Sequence, residues 1–269
     1  MRAESSSPSV TMKAEANGSH AGLGRLGLCS GCSYYPEYLN SRRCTPGDAC
    51  VRAHSGRQID RFLRANRSQA EHFLADIFWE RRAIAARYAP VERIGALLRD
   101  PDEVVRRVVA DRLPPEELIS MVADPDREVR LSVASRIPEA QLAALGGDTD
   151  YLVRATVARR LPHGQLTRML KDPEREVRKV VAARLPAFAL HLLAADPEPE
   201  VRAVVAERAL PEVAASLLCD PEWWVRLSAV ANAPIEFLPP LLGDPEPEIR
   251  DAVANRLALS PQSDPEAPQ

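Results

Sequence analysis

The chain has 269 residues, 45% of them hydrophobic and 27% charged, with a formal net charge of −3. That balance excludes a wholly disordered chain, and at roughly 150 residues per domain the length suits one or two domains. No apolar run reaches the ~18 residues a membrane span needs, and no secretory signal pattern is present, so a cytoplasmic protein with reduced thiols is expected.

Charge is unevenly placed. Residues 1–75 hold ten basic and six acidic side chains, whereas residues 76–269 hold 25 and 32. The acidic larger part is a poor match for a nucleic-acid backbone. Arginine supplies all but three of the 35 basic residues, and there are 24 prolines.

In chain order, residues 1–20 are polar and carry no periodicity, so a disordered tail is expected; Met1 and Met12 are both available as starts. Four cysteines follow within 22 residues, Cys29, Cys32, Cys44 and Cys50, spaced C-x2-C-x11-C-x5-C. Gly31 and Gly47 lie among them and allow tight turns. In a reducing compartment this pattern favours a metal over disulfides, and four thiolates suit either zinc or an iron–sulfur cluster. Structural zinc sites usually pair two short knuckles, so the wider Cys44–Cys50 spacing leans towards iron–sulfur. Arg42, Arg43 and Arg52 are placed to offset a cluster's charge or simply to face solvent, and His54 is a candidate donor beside the ligands. Next, Ser68 and Glu71 form an S-x-x-E capping box. It predicts a helix from about Gln69 that buries Phe73, Leu74, Ile77 and Phe78 and caps the following array.

A 24-residue period then takes over. Asp recurs without slip at 76, 100, 124, 148, 172, 196, 220 and 244, and Arg recurs six residues after each, from Arg82 to Arg250. Such a period is the signature of a solenoid. Within the unit starting at Asp100, Asp100 is expected to cap a helix whose first position is Pro101, with Asp102 favouring the positive helix end. Val105, Val108, Val109 and Leu113 form a helical stripe. Pro114 stops that helix, and a short second helix or 3-10 turn buries Leu118, Met121 and Val122. No segment alternates with period two, so the array is expected to be all-helical.

The Arg106–Arg250 ladder reads as exposed intra- and inter-repeat ion pairs worth ~0–1 kcal/mol each, ahead of a recognition surface for acidic peptides. The ladder of Arg112, Arg136, Arg160, Arg184, Arg208 and Arg256 takes the same reading. Trp223 and Trp224 are expected to be partly buried, and Cys219 to be an ordinary small residue. The five histidines show no catalytic spacing, and no phosphate-binding glycine motif or nucleophile elbow occurs, so an enzyme is not expected.

The four-cysteine segment followed by DPxxxVRxxVAxRLPxxxLxxLL units resembles the leucine-rich repeat variant proteins with an N-terminal 4Fe–4S cluster, over about residues 25–258. The resemblance implies an all-α, right-handed superhelical solenoid of alternating α- and 3-10 helices. It implies a 4Fe–4S cluster on Cys29, Cys32, Cys44 and Cys50, and a link to proteins encoded near nitrogen-fixation genes. Asn232 and Ala233 depart from the Arg and Leu of other units. The expected organisation is a tail at 1–20, a cluster domain at 21–68, the repeats at 69–259 and a second tail at 260–269. The expected function is a scaffold that binds a protein partner and senses redox state or oxygen. An electron carrier and a zinc-structured nucleic-acid module are the alternatives.

Overall fold

The computed structural model describes residues 27–259; the expected tails at 1–20 and 260–269, and Met12, lie outside the described residues. Two compact units divide the chain, Met1–Leu113 and Pro114–Gln269. The first holds α1 (Glu37–Asn40), α2 (Gly56–Ala65), α3 (Trp79–Tyr88), α4 (Val91–Ile94) and α5 (Glu103–Arg112). The second holds α6 (Arg127–Arg136), α7 (Tyr151–Arg160), α8 (Arg175–Arg184), α9 (Pro199–Arg208), α10 (Pro211–Ser216), α11 (Trp223–Asn232) and α12 (Pro247–Leu259). Short 3-10 helices alternate with the α-helices, as in Pro115–Met121, Glu139–Leu145 and His163–Met169. Among the described residues there is no strand, only an isolated antiparallel bridge between Thr45 and Ala49. Nor is any described helix long and apolar enough to cross a membrane.

Each repeat begins differently from the sequence expectation. Asp100 does not cap α5. The cap is Asp102, whose side chain accepts the Val104 N–H at 3.0 Å; Asp126 and Asp150 cap α6 and α7 in the same way. Pro101 lies before the helix and has no N–H to give. The Asp100 carboxylate therefore reaches the next free amide, that of Asp102, at 2.9 Å. Where Glu occupies the cap position, as at 174, 198 and 222, no side-chain cap bond forms. After α5, α6, α7 and α8 the following Pro ends the helix as expected, and its carbonyl opens the 3-10 turn, as Pro138 does by accepting the Gln141 N–H at 2.9 Å; after α9 that place is taken by Leu210, which precedes α10.

The repeat core follows the predicted stripe at Val105, Val109, Leu113, Leu118 and Met121, whereas Val108 and Val122 are only half-buried and Ala110 is buried in addition. In the α8 repeat, Val177, Val181, Ala182, Leu185, Leu190 and Leu193 are all buried. A fully buried Val or Leu contributes about 1.5–3 kcal/mol, and stacking successive repeats is what closes the stripe from water.

Both arginine ladders differ from the expected exposed pairs. Arg82, Arg130, Arg154, Arg178, Arg202 and Arg226 each fork onto the Asp 18 residues ahead, in the next repeat. Only 3–7% of those Asp side chains is exposed. The remaining nitrogen donates to the carbonyl of the repeat's own Asp, as Arg178 Nη1 does to Asp172 at 2.8 Å. In the second ladder Arg112, Arg160, Arg184, Arg208 and Arg256 donate to backbone carbonyls of the preceding repeat. Arg112 donates to the Ala86 and Ala89 carbonyls, both at 2.6 Å, and Arg184 to those of Ala158 and Leu161. It satisfies the free carbonyls at the C-terminal end of the preceding helix. Asn232, the departure at α11, does the same job with its amide, on Ala206 at 3.0 Å and Glu207 at 2.6 Å.

The capping-box expectation fails. Residues Arg67–Phe73 form a 3-10 helix with no side-chain cap. Glu71 instead pairs with Arg93 at 3.0 Å. Ile77 is 99% exposed, and Phe73, Leu74 and Phe78 are only half-buried. The apolar work is done one element earlier, by Ile59, Phe62 and Leu63 of α2.

Candidate metal centre

Local turns bring the four cysteines together. Gly31 sits at φ +68, which a glycine adopts without strain, and the Cys32 N–H closes the turn on the Cys29 carbonyl at 3.1 Å. The chain then forms α1. The Tyr38 carbonyl accepts the N–H groups of Arg43 at 2.8 Å and Cys44 at 3.2 Å, which returns Cys44 to the first pair. A second turn, with Gly47 at φ +84, is closed by Thr45 and Ala49 and delivers Cys50. The Cys50 N–H donates to the Gln58 carbonyl of α2 at 3.1 Å.

Cys29, Cys32, Cys44 and Cys50 line one enclosed cavity, walled by Leu28, Tyr34, Tyr35, Val51 and Phe62 among others. Cys50 is buried; the other three are half-buried, and Tyr35 is exposed at the rim. Behind the cavity, Tyr34 stands 4.8 Å from Tyr38 and 5.3 Å from Phe62, ring centre to ring centre. Two straps tie the loops. Arg52 donates to the Ser30 carbonyl at 3.0 Å, and the Gln58 side chain to the Gly47 carbonyl at 2.9 Å.

Burial and mutual proximity both act against the thiolate form at Cys29 and Cys44. Desolvation raises the Cys29 thiol above its ordinary value; the charges of Cys50 and Cys32 raise it further, and Arg52 works the other way. Desolvation also raises Cys44, with Cys50, Cys29 and Cys32 adding to it. Four thiolates this close need a metal's charge to coexist. Among the described residues no three His, Cys, Asp or Glu side chains converge on a point that could hold one metal ion. The thiols surround the cavity instead. An all-thiolate donor set with no carboxylate or imidazole in the wall fits a cluster.

Of the flanking residues, Arg52 is exposed and its charge lowers Cys29. Arg43 lies over the Tyr38 ring at 4.1 Å and donates to Asn66 at 3.0 Å, and Arg42 is exposed at φ +58. His54 does not join the site; it is exposed and meets Phe78 edge-on at 6.2 Å. Cys219 is exposed and belongs to the second unit.

The aromatic wall and α2 went unread in the sequence. Ile59, Phe62 and Leu63 do carry a helical signal, at i, i+3 and i+4. α2 packs on α3, the first repeat helix. Asp60 of α2 accepts the Tyr88 hydroxyl at 2.8 Å and pairs with Arg87 at 3.2 Å. Tyr88, the odd residue where later repeats have Arg, thus ties the cysteine domain to the array.

A family profile described as "LRV protein FeS4 cluster" matches residues 23–72, and one described as "Leucine rich repeat variant" matches residues 79–102 and 151–174. A solved structure described as a leucine-rich repeat variant with a novel repetitive structural motif is 54% identical, with a TM-score of 0.81. The match covers 85% of this chain and 97% of that one. The chain belongs to the leucine-rich repeat variant family. A Rhodobacter capsulatus relative, "Uncharacterized 27.7 kDa protein in nifB 3'region", is 36% identical over 85 residues. That stretch is 32% of this chain and about a third, 34%, of the relative's length.

Proposed function

We infer that this leucine-rich repeat variant protein is a cytoplasmic, non-enzymatic scaffold that binds a protein partner and responds to redox state or oxygen through a 4Fe–4S cluster. Cys29, Cys32, Cys44 and Cys50 would hold the cluster, which supplies a one-electron couple and a site open to oxidative loss. The observation that carries the reading is the short path from cysteine to array. The Cys50 amide is bonded to α2, and α2 is bonded through Asp60 to Tyr88 and Arg87 of α3. A shift of the Cys50 loop therefore moves the helix that starts the repeats. Most guanidiniums of the array are engaged internally, which leaves its remaining surface, and not the arginine ladders, for a partner. The position of the Rhodobacter relative's gene, in the nifB 3' region, supports a link to nitrogen fixation.

A second reading, an electron carrier docking through its repeats, is favoured by the half-exposed Cys29, Cys32 and Cys44. Anaerobic purification tests both readings first. About four iron and four sulfide per chain are expected; about one zinc and no colour would overturn both. Hydrogen exchange across α3, with and without the cluster, then separates them. Faster exchange on cluster loss supports the sensor, and unchanged exchange with a reversible one-electron couple supports the carrier.

A further inference from the structure

The first repeat breaks a pairing that later repeats keep. Four residues after the repeat Asp stand Glu80, Glu128, Glu176 and Glu200, and three residues after it stand Arg127 and Arg175. Arg127 pairs with Glu128 at 2.9 Å, and Arg175 lies 3.6 Å from Glu176 and 3.2 Å from Glu200. In the first repeat Trp79 takes the place of that arginine. Glu80 Oε2 is buried and meets no hydrogen-bond donor. It lies against the first residue of α2, where a Cβ on Gly56 would come within 3.0 Å of it. A buried carboxylate oxygen without a partner is costly, and a cation placed beside it removes that cost.

Glu80 lines a pocket of about 330 Å³ between α2 and α3. Ala83, Ile84 and Val104 give it an apolar lining, and the Trp79 ring beside them is 37% exposed. Of the other charged groups around it, Arg87 is paired with Asp60 at 3.2 Å, and Arg57 is exposed. We propose that this pocket receives an arginine side chain of a protein partner, with the guanidinium on Glu80 and against the Trp79 ring. The partner thus supplies the cation that Arg127 and Arg175 supply within later repeats. A guanidinium offers paired donors to the carboxylate and a flat face to the indole, and its aliphatic stem suits Ala83, Ile84 and Val104. The volume suits one long side chain and not a helix. The proposal rests on the reading of this chain as a partner-binding scaffold, and it sets the contact at the joint between α2 and the first repeat helix.

The test titrates the anaerobically purified full chain with N-acetyl-arginine amide at fixed ionic strength. Trp79 emission is followed in a Trp223→Phe/Trp224→Phe background, which leaves it as the reporter. Saturation with a Kd of about 1–5 mM is expected, and N-acetyl-norleucine amide, which lacks the charge, should bind at least about tenfold more weakly. Glu80→Gln keeps the side-chain shape and should weaken the arginine probe about tenfold. Arg57→Gln removes a like charge and should tighten it about twofold. No saturation by about 50 mM, or equal binding of the norleucine probe, overturns the proposal, and neither result depends on a Glu80 or Arg57 variant folding. Unchanged binding in Glu80→Gln overturns it too. So does weaker binding in Arg57→Gln, because the ligand then carries an anion. Putrescine binding about tenfold tighter than the arginine probe also overturns it, because the occupant is then a free polyamine. The iron, sulfide and exchange measurements that test the scaffold reading do not enter this titration, so either can fail alone.

Discussion

The Asp220→Asn substitution tests whether the buried fork pairs hold neighbouring repeats together. Asp220 accepts Arg202 Nε at 2.6 Å and Nη2 at 2.9 Å, and its side chain is 3% exposed. Asparagine keeps an oxygen for the Glu222 N–H, bonded at 3.0 Å, and for Arg202 Nη2, but it removes the charge and puts an amide NH2, which cannot accept, opposite Arg202 Nε. Stripping one partner from a buried pair costs about 3–5 kcal/mol. Arg202 retains the Asp196 and Pro197 carbonyls and a side chain 12% exposed, so about 2–3 kcal/mol is the expected loss. With a urea slope of ~2 kcal/mol/M, the midpoint falls by about 1–1.5 M. Trp223 and Trp224 open α11 immediately after Asp220 and report this interface by fluorescence; a Trp79→Phe background removes the remaining tryptophan. In Arg202→Met the same Asp220→Asn change should cost much less, because no buried guanidinium is left unpaired. A midpoint shift below about 0.25 M, or equal losses in both backgrounds, would refute the reasoning.

The acid limb of stability follows from the same pairs. Burial is the largest single influence on Asp100, Asp148 and Asp220 and pushes each up, but the Arg82, Arg130 and Arg202 hydrogen bonds, the backbone N–H bond each accepts and the neighbouring arginine charges together hold each below its ordinary value; at Asp244 the Arg226 bond is the largest influence and lowers it. A depressed folded value means stability that is complete above the unfolded value of about 3.9 and lost as pH falls through the folded value. Urea midpoints should therefore be flat from pH 7 to 5 and drop towards pH 3; a rise in acid would contradict this. Arg184→Met should cost about 1–3 kcal/mol by leaving the Ala158 and Leu161 carbonyls without a donor, read from the same unfolding curves. Cys50→Ser should lower bound iron and sulfide while leaving far-ultraviolet circular dichroism of the repeats nearly intact, whereas Cys219→Ser should change neither.

The repeat, its all-helical character, its apolar stripe and the four cysteines were legible in the sequence because each is a local or strictly periodic signal. A 24-residue spacing of Asp, Pro and Arg leaves little freedom in how one unit is built, and Val177, Val181 and Leu185 are buried as their spacing requires. What each charged residue does was not legible. Asp100 turned from a helix cap into the receptor for Arg82, a residue of the preceding repeat, and the cap passed to Asp102. Arg112 and Arg184 proved to be caps for their neighbours' carbonyls, not ion-pair partners. Ile77 was misplaced because a capping box reports only short-range hydrogen bonding, whereas α2 had already filled the apolar space beside α3. Spacing showed that the cysteines were near one another; only the folded loops placed all four around one cavity and tied it through Asp60 and Tyr88 to the first repeat. Local chemistry determines the unit, and contacts many residues apart in sequence decide which partner each polar group meets.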